Sequence, residues 1–292
     1  MNRYIVTFLL FALCFCPYVG AQSNFEIGGK FLNQNELKKA KSVFKEFPND
    51  LKALEYLGDI AGFEKRWDDA INYYEKLLEI KPDSPKYNFK LGGAMGMKAL
   101  EISKLKAALM IGDIKTYLNK AAELDKNHAE ARRVLVELYM QLPAILGGSK
   151  DVAEKFKAEL HNINKVDAYL AEAYIHKYEG NEELMETAIK NALQQALNNK
   201  DLVERNYLNY ELGERAATLK IMTDAAIYFL QEYAENYNYK DLKSPAWAHY
   251  HIAQIQASQN NQDKALTHVN KALASKFNFP EAEKLKRQIL EM

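Results

Sequence analysis

The sequence predicts an all-α protein in which short helical hairpins stack side by side as a solenoid. The first observation is a segment, residues 51–84, in which apolar residues recur every three or four positions along two predicted helices. The second is that this pattern returns along most of the chain, with decreasing fidelity. The third is that no linker rich in Pro, Gly or Ser separates two halves of the chain. One hairpin cannot bury both of its apolar faces, so at least about three are expected to stack.

The N-terminal segment differs from everything after it. Arg3 precedes an apolar run over residues 4–16, which is followed by Pro17 and small residues. This pattern predicts a secretory signal peptide over residues 1–21, cleaved between Ala21 and Gln22, and a secreted or periplasmic protein. The run is shorter than the roughly 20 residues that a membrane-crossing helix needs. An uncleaved N-terminal anchor is the alternative, and no membrane span is expected after cleavage.

Both cysteines of the chain lie inside the predicted signal peptide. Leu13 precedes Cys14 and Phe15 precedes Cys16, whereas a lipoprotein signal needs a small residue before its cysteine, so lipidation is not expected. The mature chain would then lack any cysteine for a disulfide, a thiolate zinc site or a nucleophile. The 39 basic and 39 acidic residues cancel, so no field of one sign steers the chain toward nucleic acid or anionic lipid, and no nucleic-acid partner is expected.

The segment over residues 51–84 has small, apolar and helix-ending residues at regular positions: Leu54, Leu57, Gly58, Ala61, Trp67, Ala70, Tyr74, Leu77 and Pro82. Its small residues, Gly58 on the first helix and Ala70 on the second, are expected to face each other where the helices approach closely, and Pro82 ends the second helix. With these residues at these positions, the segment resembles the 34-residue tetratricopeptide repeat of exported bacterial proteins.

About seven such units and a closing helix after Pro280 are predicted, as a single domain over residues 22–292. The resemblance implies that they wind into a right-handed superhelix. In the third unit, about ten extra residues are expected to lengthen the helices. The units other than 51–84 are a short first unit at 25–50, units that start near residues 85, 129 and 164, and the better-matching units at 206–239 and 246–279.

The resemblance also implies where a ligand would bind, namely in a concave groove lined by the first helix of each unit. Relatives that bind the C-terminal carboxylate of a peptide use Lys, Asn and Arg there. At the equivalent positions this chain has Glu55, Asp59, Glu137, Glu172 and Glu214, with Arg133 beside Glu137. Such a groove would repel a terminal carboxylate, so that subfamily function is not expected.

Four aromatic residues fall at groove positions of the last two units: Tyr207, Tyr210, Trp247 and Tyr250. Large amphipathic rings in adjacent units suit a peptide, a glycan or a loop of another protein. The predicted partner-binding surface therefore contains these four residues with Glu214, Arg133 and Glu137. The alternative, equally consistent with the sequence, is that the helical register differs by one position and the rings pack between helices.

No catalytic residue, metal site or cofactor is predicted. The segment around Gly147, Gly148 and Ser149 has the order Ser-Lys instead of the Lys-Ser of a phosphate-binding loop, so Ser149 is expected to cap the helix that begins near Lys150. The histidines are scattered, and His249 and His251 lie on different faces of one helix because they are two residues apart.

The leading functional hypothesis is a non-enzymatic scaffold that mediates protein–protein interactions in the periplasm or cell envelope. The alternative is a solute- or lipid-binding receptor that uses the groove or a cavity near Met95, Met97 and Met110, whose side chains are adaptable. An enzyme built on this solenoid would rest on the Gly147–Ser149 loop alone. An open groove would favour the scaffold, and a closed apolar cavity of several hundred Å³ would favour the receptor.

Overall fold

A computed structural model of the chain describes residues 16–292, with side chains described from residue 24. The described part contains fifteen α-helices, two short 3₁₀ turns and no strand, which confirms the all-α prediction. None of these helices combines the length and apolar composition that a bilayer crossing requires. The predicted signal peptide, residues 1–21, lies largely outside the described residues and stays a prediction. The helices are α1 (Cys16–Asn33), α2 (Leu37–Phe44), α3 (Leu51–Phe63), α4 (Trp67–Ile80), α5 (Pro85–Glu101), α6 (Lys104–Leu124), α7 (Ala129–Gln141), α8 (Lys150–Leu160), α9 (Lys165–Glu179), α10 (Glu182–Asn198), α11 (Asn206–Leu219), α12 (Thr223–Glu235), α13 (Pro245–Ser258), α14 (Gln262–Ser275) and α15 (Pro280–Leu290).

The chain forms two compact units. The first contains the residues up to Pro82 together with Asn238–Lys240, and its core includes Phe44, Leu57 and Tyr239. The second contains Asp83–Tyr237 and Asp241–Met292. The expected right-handed superhelix and the single domain over residues 22–292 stay predictions.

In the first unit, α3 and α4 form the hairpin that the pattern over residues 51–84 predicts. The Asp50 side chain accepts hydrogen bonds from the backbone N–H groups of Lys52 and Ala53, at 2.9 and 2.8 Å, and so caps α3. The predicted apolar positions of both helices are buried: Leu54, Leu57, Ala61, Trp67, Ala70, Tyr74 and Leu77.

The expected contact between Gly58 and Ala70 is wrong in one respect. A Cβ atom on Gly58 would collide with the ring of Tyr74, one turn further along α4 than Ala70. The glycine is therefore needed to make room for a large ring, whose hydroxyl donates a hydrogen bond of 2.8 Å to Asp59. The close approach of the helices pairs a small residue with a large one.

The second unit contains five hairpins, formed by α5 and α6, α7 and α8, α9 and α10, α11 and α12, and α13 and α14, each pair in extensive contact. After them, α15 packs on the last hairpin through Phe279, Ala282 and Ile289, which are buried in one apolar cluster with Val269. The predicted closing helix is therefore confirmed. The polar residues of α15 lie on its outer face, as the end of a repeat array requires.

The hairpin of α5 and α6, which is the third predicted repeat, is longer than the others, as the extra residues of that repeat predict. Helix α5 has 17 residues and α6 has 21, against 13 and 14 in α3 and α4. The buried residues of α5 end at Ala94, and those of α6 begin at Ile114. The side chains at the end of the hairpin, between these two residues, are all exposed or only partly buried.

The loop between α7 and α8 turns the chain and caps the helix that follows. Gly147 has a φ of 79°, in the left-handed region where glycine is least strained. Ser149 Oγ accepts a hydrogen bond of 3.3 Å from the backbone N–H of Val152, so it caps α8 as expected.

Candidate functional site

The predicted binding residues lie in the second unit, on the first helix of each of three hairpins. Arg133 and Glu137 are on α7, Tyr207, Tyr210 and Glu214 on α11, and Trp247 and Tyr250 on α13. Helix α7 packs against α9, and α11 packs against α13. These seven residues divide into an ionic group and an aromatic group.

Arg133 is buried among carboxylates. Its Nη2 atom lies 2.7 Å from Glu211 Oε1 and 3.0 Å from Glu137 Oε1, and its Nη1 atom lies 3.8 Å from Asp167 Oδ1. The positive charge of Arg133 is therefore neutralised inside the unit. A ligand that binds this surface does not meet a free guanidinium group.

Two further arginines extend this arrangement. Arg205 donates hydrogen bonds of 3.0 and 2.6 Å to the two carboxylate oxygens of Asp167, which is fully buried. Arg215 donates two hydrogen bonds, of 3.0 and 2.7 Å, to Glu211 Oε1. We call the set of Arg133, Glu137, Asp167, Arg205, Glu211 and Arg215 the ionic network.

The network joins α7 and α9 to α11 and to Arg205, which immediately precedes α11. Burial by itself would raise the pKa of Glu211, but the positive charges of Arg133 and Arg215 outweigh burial and lower that pKa to about 2. Burial likewise opposes the charge of Arg133, yet Glu211, Glu137 and Asp167 raise its pKa above the usual value. Both groups are therefore charged at neutral pH. Their role in this geometry is to hold the first helices in a fixed arrangement.

The sequence identified only Arg133 and Glu137 of this network. Asp167 and Glu211 are not at predicted groove positions, and Glu211 lies 78 residues from Arg133. No local pattern pairs charges at such a separation. The signal in the sequence was limited to an Arg-x-x-x-Glu spacing on α7, which places Arg133 and Glu137 on one face.

The aromatic residues form a continuous strip of rings across α11 and α13. Tyr207 lies 6.0 Å from Tyr210, Tyr210 lies 6.3 Å from His251, and His251 lies 6.3 Å from Trp247, measured between ring centroids. Trp247 meets Tyr250 edge to face at 5.7 Å. We call these five residues the aromatic strip.

The rings of the strip differ in accessibility. Tyr210 is 3% exposed and packs against Tyr233 of α12, at 5.1 Å, which matches the alternative of a ring between helices. Tyr207 is 42% exposed. Trp247 and Tyr250 are half-buried. Tyr207, Trp247 and Tyr250 therefore keep ring surface exposed to solvent, and the buried ring of Tyr210 packs against Tyr207.

Cationic side chains flank one end of the strip. The Nζ atoms of Lys276 and Lys243 lie 4.7 and 5.2 Å from the centroid of the Trp247 ring, within the range of cation–π attraction. Trp247 also rests on the buried ring of Phe279, at 4.6 Å. The indole is thus held from two sides.

Acidic side chains flank the other end of the strip. Burial and then the negative charges of Glu211 and Glu214 raise the pKa of Tyr207 to about 12. Its hydroxyl is therefore a neutral hydrogen-bond donor at physiological pH. Glu214 is half-buried on the same helix.

Two open clefts of about 450 and 460 Å³ lie along α6. The first is lined by α6 and by Ile145 and Leu146 of the loop after α7, and the second by α6 alone. Neither cleft includes a residue of the aromatic strip or the ionic network.

No group of three or more potential metal ligands occurs among the described residues. His249 and His268, on α13 and α14, face each other with their Nδ1 atoms 3.3 Å apart. Burial, followed by the neighbouring His268 and Lys271, lowers the pKa of His249 to about 4. This pair joins two helices of one hairpin, a contact that the spacing of the histidines in the sequence did not reveal.

Comparison with known proteins identifies the type of repeat. Residues 52–84 match the family model of the tetratricopeptide repeat. The chain therefore carries a tetratricopeptide repeat, and the resemblance seen in its sequence is confirmed. Proteins with such repeats generally mediate protein–protein interactions. No curated protein matches the whole sequence significantly.

Solved structures with similar folds come from varied proteins. A monomeric mutant of IFIT1 with m7Gppp-AAAA superposes with a TM-score of 0.55 at 13% identity, over 92% of this chain and 62% of that one. The Cut9–Hcn1 hetero-tetramer of APC/C gives a TM-score of 0.51 at 18% identity, over 92% and 48%. A tetratricopeptide repeat protein from Parabacteroides merdae is 17% identical and gives a TM-score of 0.48, over 92% and 98%. At these identities the likeness concerns the fold alone.

Proposed function

We propose that this protein is a non-enzymatic scaffold that binds a segment of another protein in the periplasm or cell envelope, through the aromatic strip on α11 and α13. The observation that carries the proposal is the row of exposed or partly exposed rings, Tyr207, Trp247 and Tyr250, on α11 and α13, which pack together. Family membership supports the general role in protein binding, and the predicted signal peptide supports the location.

The strip has the physical properties of a binding surface. Tyrosine and tryptophan offer large contact areas at a small cost in side-chain entropy, and they also donate hydrogen bonds. Here the rings are already held in place, since Trp247 packs on Phe279 and Tyr207 packs on buried Tyr210. A preordered surface loses less entropy on binding, which favours affinity.

The ionic network holds the helix that carries Tyr207 and Tyr210. It fixes α7 and α9 relative to α11 through buried pairs, so this part of the strip lies on a rigid helix. Because Arg133 bonds to both Glu137 and Glu211, we assign Arg133 and Glu137 a positioning role instead of direct contact with the partner. Glu214, at the acidic end of the strip, stays a predicted contact of the partner.

The alternative of a small-molecule receptor receives less support. A receptor needs an enclosed apolar cavity that buries most of its ligand. The two clefts along α6 are open, and polar side chains such as Lys115, Thr116 and Asn119 line them.

The experiment is photo-crosslinking in living cells. A photoreactive phenylalanine at Tyr207 or Tyr250 is expected to capture a defined protein, and the same group at Tyr178, an exposed tyrosine of α9 outside the strip, is the matched control. The captured band should disappear when Trp247→Ala is added, while the circular dichroism of the variant stays helical. Capture of the same proteins from Tyr178, or of none from Tyr207 and Tyr250, would contradict the proposed surface.

A separate measurement tests the location. N-terminal sequencing of the protein recovered from the envelope fraction is expected to start at Gln22. An intact N-terminus on protein from the cytoplasmic fraction would contradict export while leaving the binding surface untouched.

A further inference from the structure

The end of the long α5–α6 hairpin carries an unusual set of exposed apolar side chains. Leu100, Leu105 and Leu109 are 73%, 79% and 80% exposed, and Ile145 of the loop after α7 is 93% exposed. Single exposed leucines are common on soluble proteins, but contiguous ones mark interaction surfaces. We call residues 95–112 the hairpin tip.

The leucines of the tip lie on either side of the short connection between α5 and α6. Leu100 is in the last turn of α5 and Leu105 in the first turn of α6, and Ile102 and Ser103 join the two helices. Leu105 and Leu109 are four residues apart and so lie on one face of α6. That face continues through Ala108 and Gly112 to the cleft that Ile145 lines.

The inner face of the tip is packed, which keeps the outer face in place. Met95, Ala99, Met110 and Ile111 are partly buried and pack against the apolar cluster of α6 and α7. The leucines are therefore exposed on a hairpin whose inner residues pack against the core. They are not residues of an unformed core.

Charge on the tip has one dominant sign. Residues 95–112 contain three lysines, Lys98, Lys104 and Lys106, and one acid, Glu101, a net charge of +2. Lys104 and Lys106 are exposed on either side of Leu105. The neutral balance of the whole chain conceals this local excess.

We propose that the hairpin tip docks onto the surface of an anionic lipid bilayer. Interfacial segments of proteins combine apolar side chains, which enter the boundary between headgroups and acyl chains, with Lys or Arg, which bind acidic headgroups. The step from Leu105 to Leu109 spans about 6 Å along the helix axis, and interfacial segments enter to a depth of roughly 5–10 Å.

The shape and size of the tip favour a bilayer over a second copy of the chain. Stable interfaces bury roughly 800 Å² from each partner, more than three leucines and one isoleucine at the end of a hairpin supply. Two tips in contact would also bring Lys104 and Lys106 of both copies together, and like charges oppose association. A bilayer can bind the end of a hairpin without offering a groove of complementary shape.

The test uses a fluorophore whose emission reports its surroundings. In the full chain with Cys14→Ser and Cys16→Ser, the dye is attached at Leu105→Cys, and at Phe277→Cys, a fully exposed apolar position elsewhere, as the matched control. With vesicles of phosphatidylcholine and 30% phosphatidylglycerol, the intensity at position 105 is expected to rise about threefold with a blue shift. No change is expected at position 277. Because the readout is local, it does not depend on whether residues 1–21 also touch the membrane.

A second series separates lipid from other occupants. Lys104→Glu with Lys106→Glu is expected to weaken the response to anionic vesicles at least about tenfold, and pure phosphatidylcholine should give little response. An unchanged signal at position 105, an equal response to neutral vesicles, or equal changes at positions 105 and 277 would overturn the proposal. So would a concentration-dependent doubling of mass in light scattering that Leu109→Ser abolishes, because a second copy would then occupy the tip. These outcomes are independent of the protein partner proposed for the aromatic strip.

Discussion

Replacing Glu211 with glutamine removes one charge from the centre of the ionic network while keeping the shape of the side chain. In the folded protein Glu211 lies 2.7 Å from both Arg133 and Arg215, and its pKa falls from the usual 4.5 to about 2. One pKa unit corresponds to about 1.4 kcal/mol. The ionised carboxylate of Glu211 therefore contributes about 3 kcal/mol to the free energy of unfolding at neutral pH.

The pH dependence follows from the direction of this shift. Because the folded state lowers the pKa of Glu211, its contribution is complete above the unfolded value near 4.5 and is lost as the pH falls through 4.5 towards 2. At pH 3.5 about 2 kcal/mol should remain. The difference in unfolding free energy between wild type and Glu211→Gln is thus expected to shrink by about 1 kcal/mol between pH 7 and pH 3.5.

The assay is urea unfolding followed by helical circular dichroism at both pH values. Glu214→Gln, on the same helix and outside the network, is the matched control and should change the midpoint much less. The denaturant slope should stay equal between variants, so that the midpoints report stability. A Glu211→Gln penalty of the same size at pH 7 and pH 3.5 would refute the electrostatic account, because an uncharged packing defect has no such pH dependence.

Two further predictions concern the hairpins. Gly58→Ala should lower the thermal midpoint because the new methyl group meets the Tyr74 ring. Gly96→Ala on α5, where a Cβ atom meets nothing within 4 Å, should instead stabilise the protein by about 0.5–1 kcal/mol. Equal effects of the two substitutions in calorimetry would contradict this geometry. Burial and then His268 lower the pKa of His249 to about 4, so the folded protein keeps that ring neutral. The stability contributed by the neutral His249 ring is therefore present above about pH 6.5 and is lost as the pH falls towards 4. NMR titration should show the low pKa, and His268→Gln should raise it; a His249 pKa near 6.5 in the wild type would contradict the packing.

Local features of the fold were predictable because they depend on neighbours three or four residues apart. Helices α3 and α4, the cap at Ser149 and the closing helix α15 follow from such spacing. The lengthened third hairpin followed from counting residues between repeats. The partner of Gly58 was mispredicted, since spacing shows that a small residue is needed and not which side chain fills the space.

The aromatic strip was predictable only in outline. Helical spacing placed Tyr207, Trp247 and Tyr250 on first helices, and they are accessible there. The same spacing could not separate Tyr210 from them, because a shift of one position along a helix turns a side chain by about 100°. That rotation decides whether a ring faces solvent or packs against the next helix.

What the sequence determined by itself is the repeat: helical hairpins with apolar faces that must stack, and a tetratricopeptide unit at residues 51–84. What only the tertiary structure decided is which distant groups meet and which stay uncovered. Arg133 pairs with Glu211, which is 78 residues away in the sequence, and Leu105 at the start of α6 remains exposed. The physical reason is that periodicity encodes the face that each helix buries, whereas contacts between hairpins depend on how far each helix extends and how it is rotated against the next.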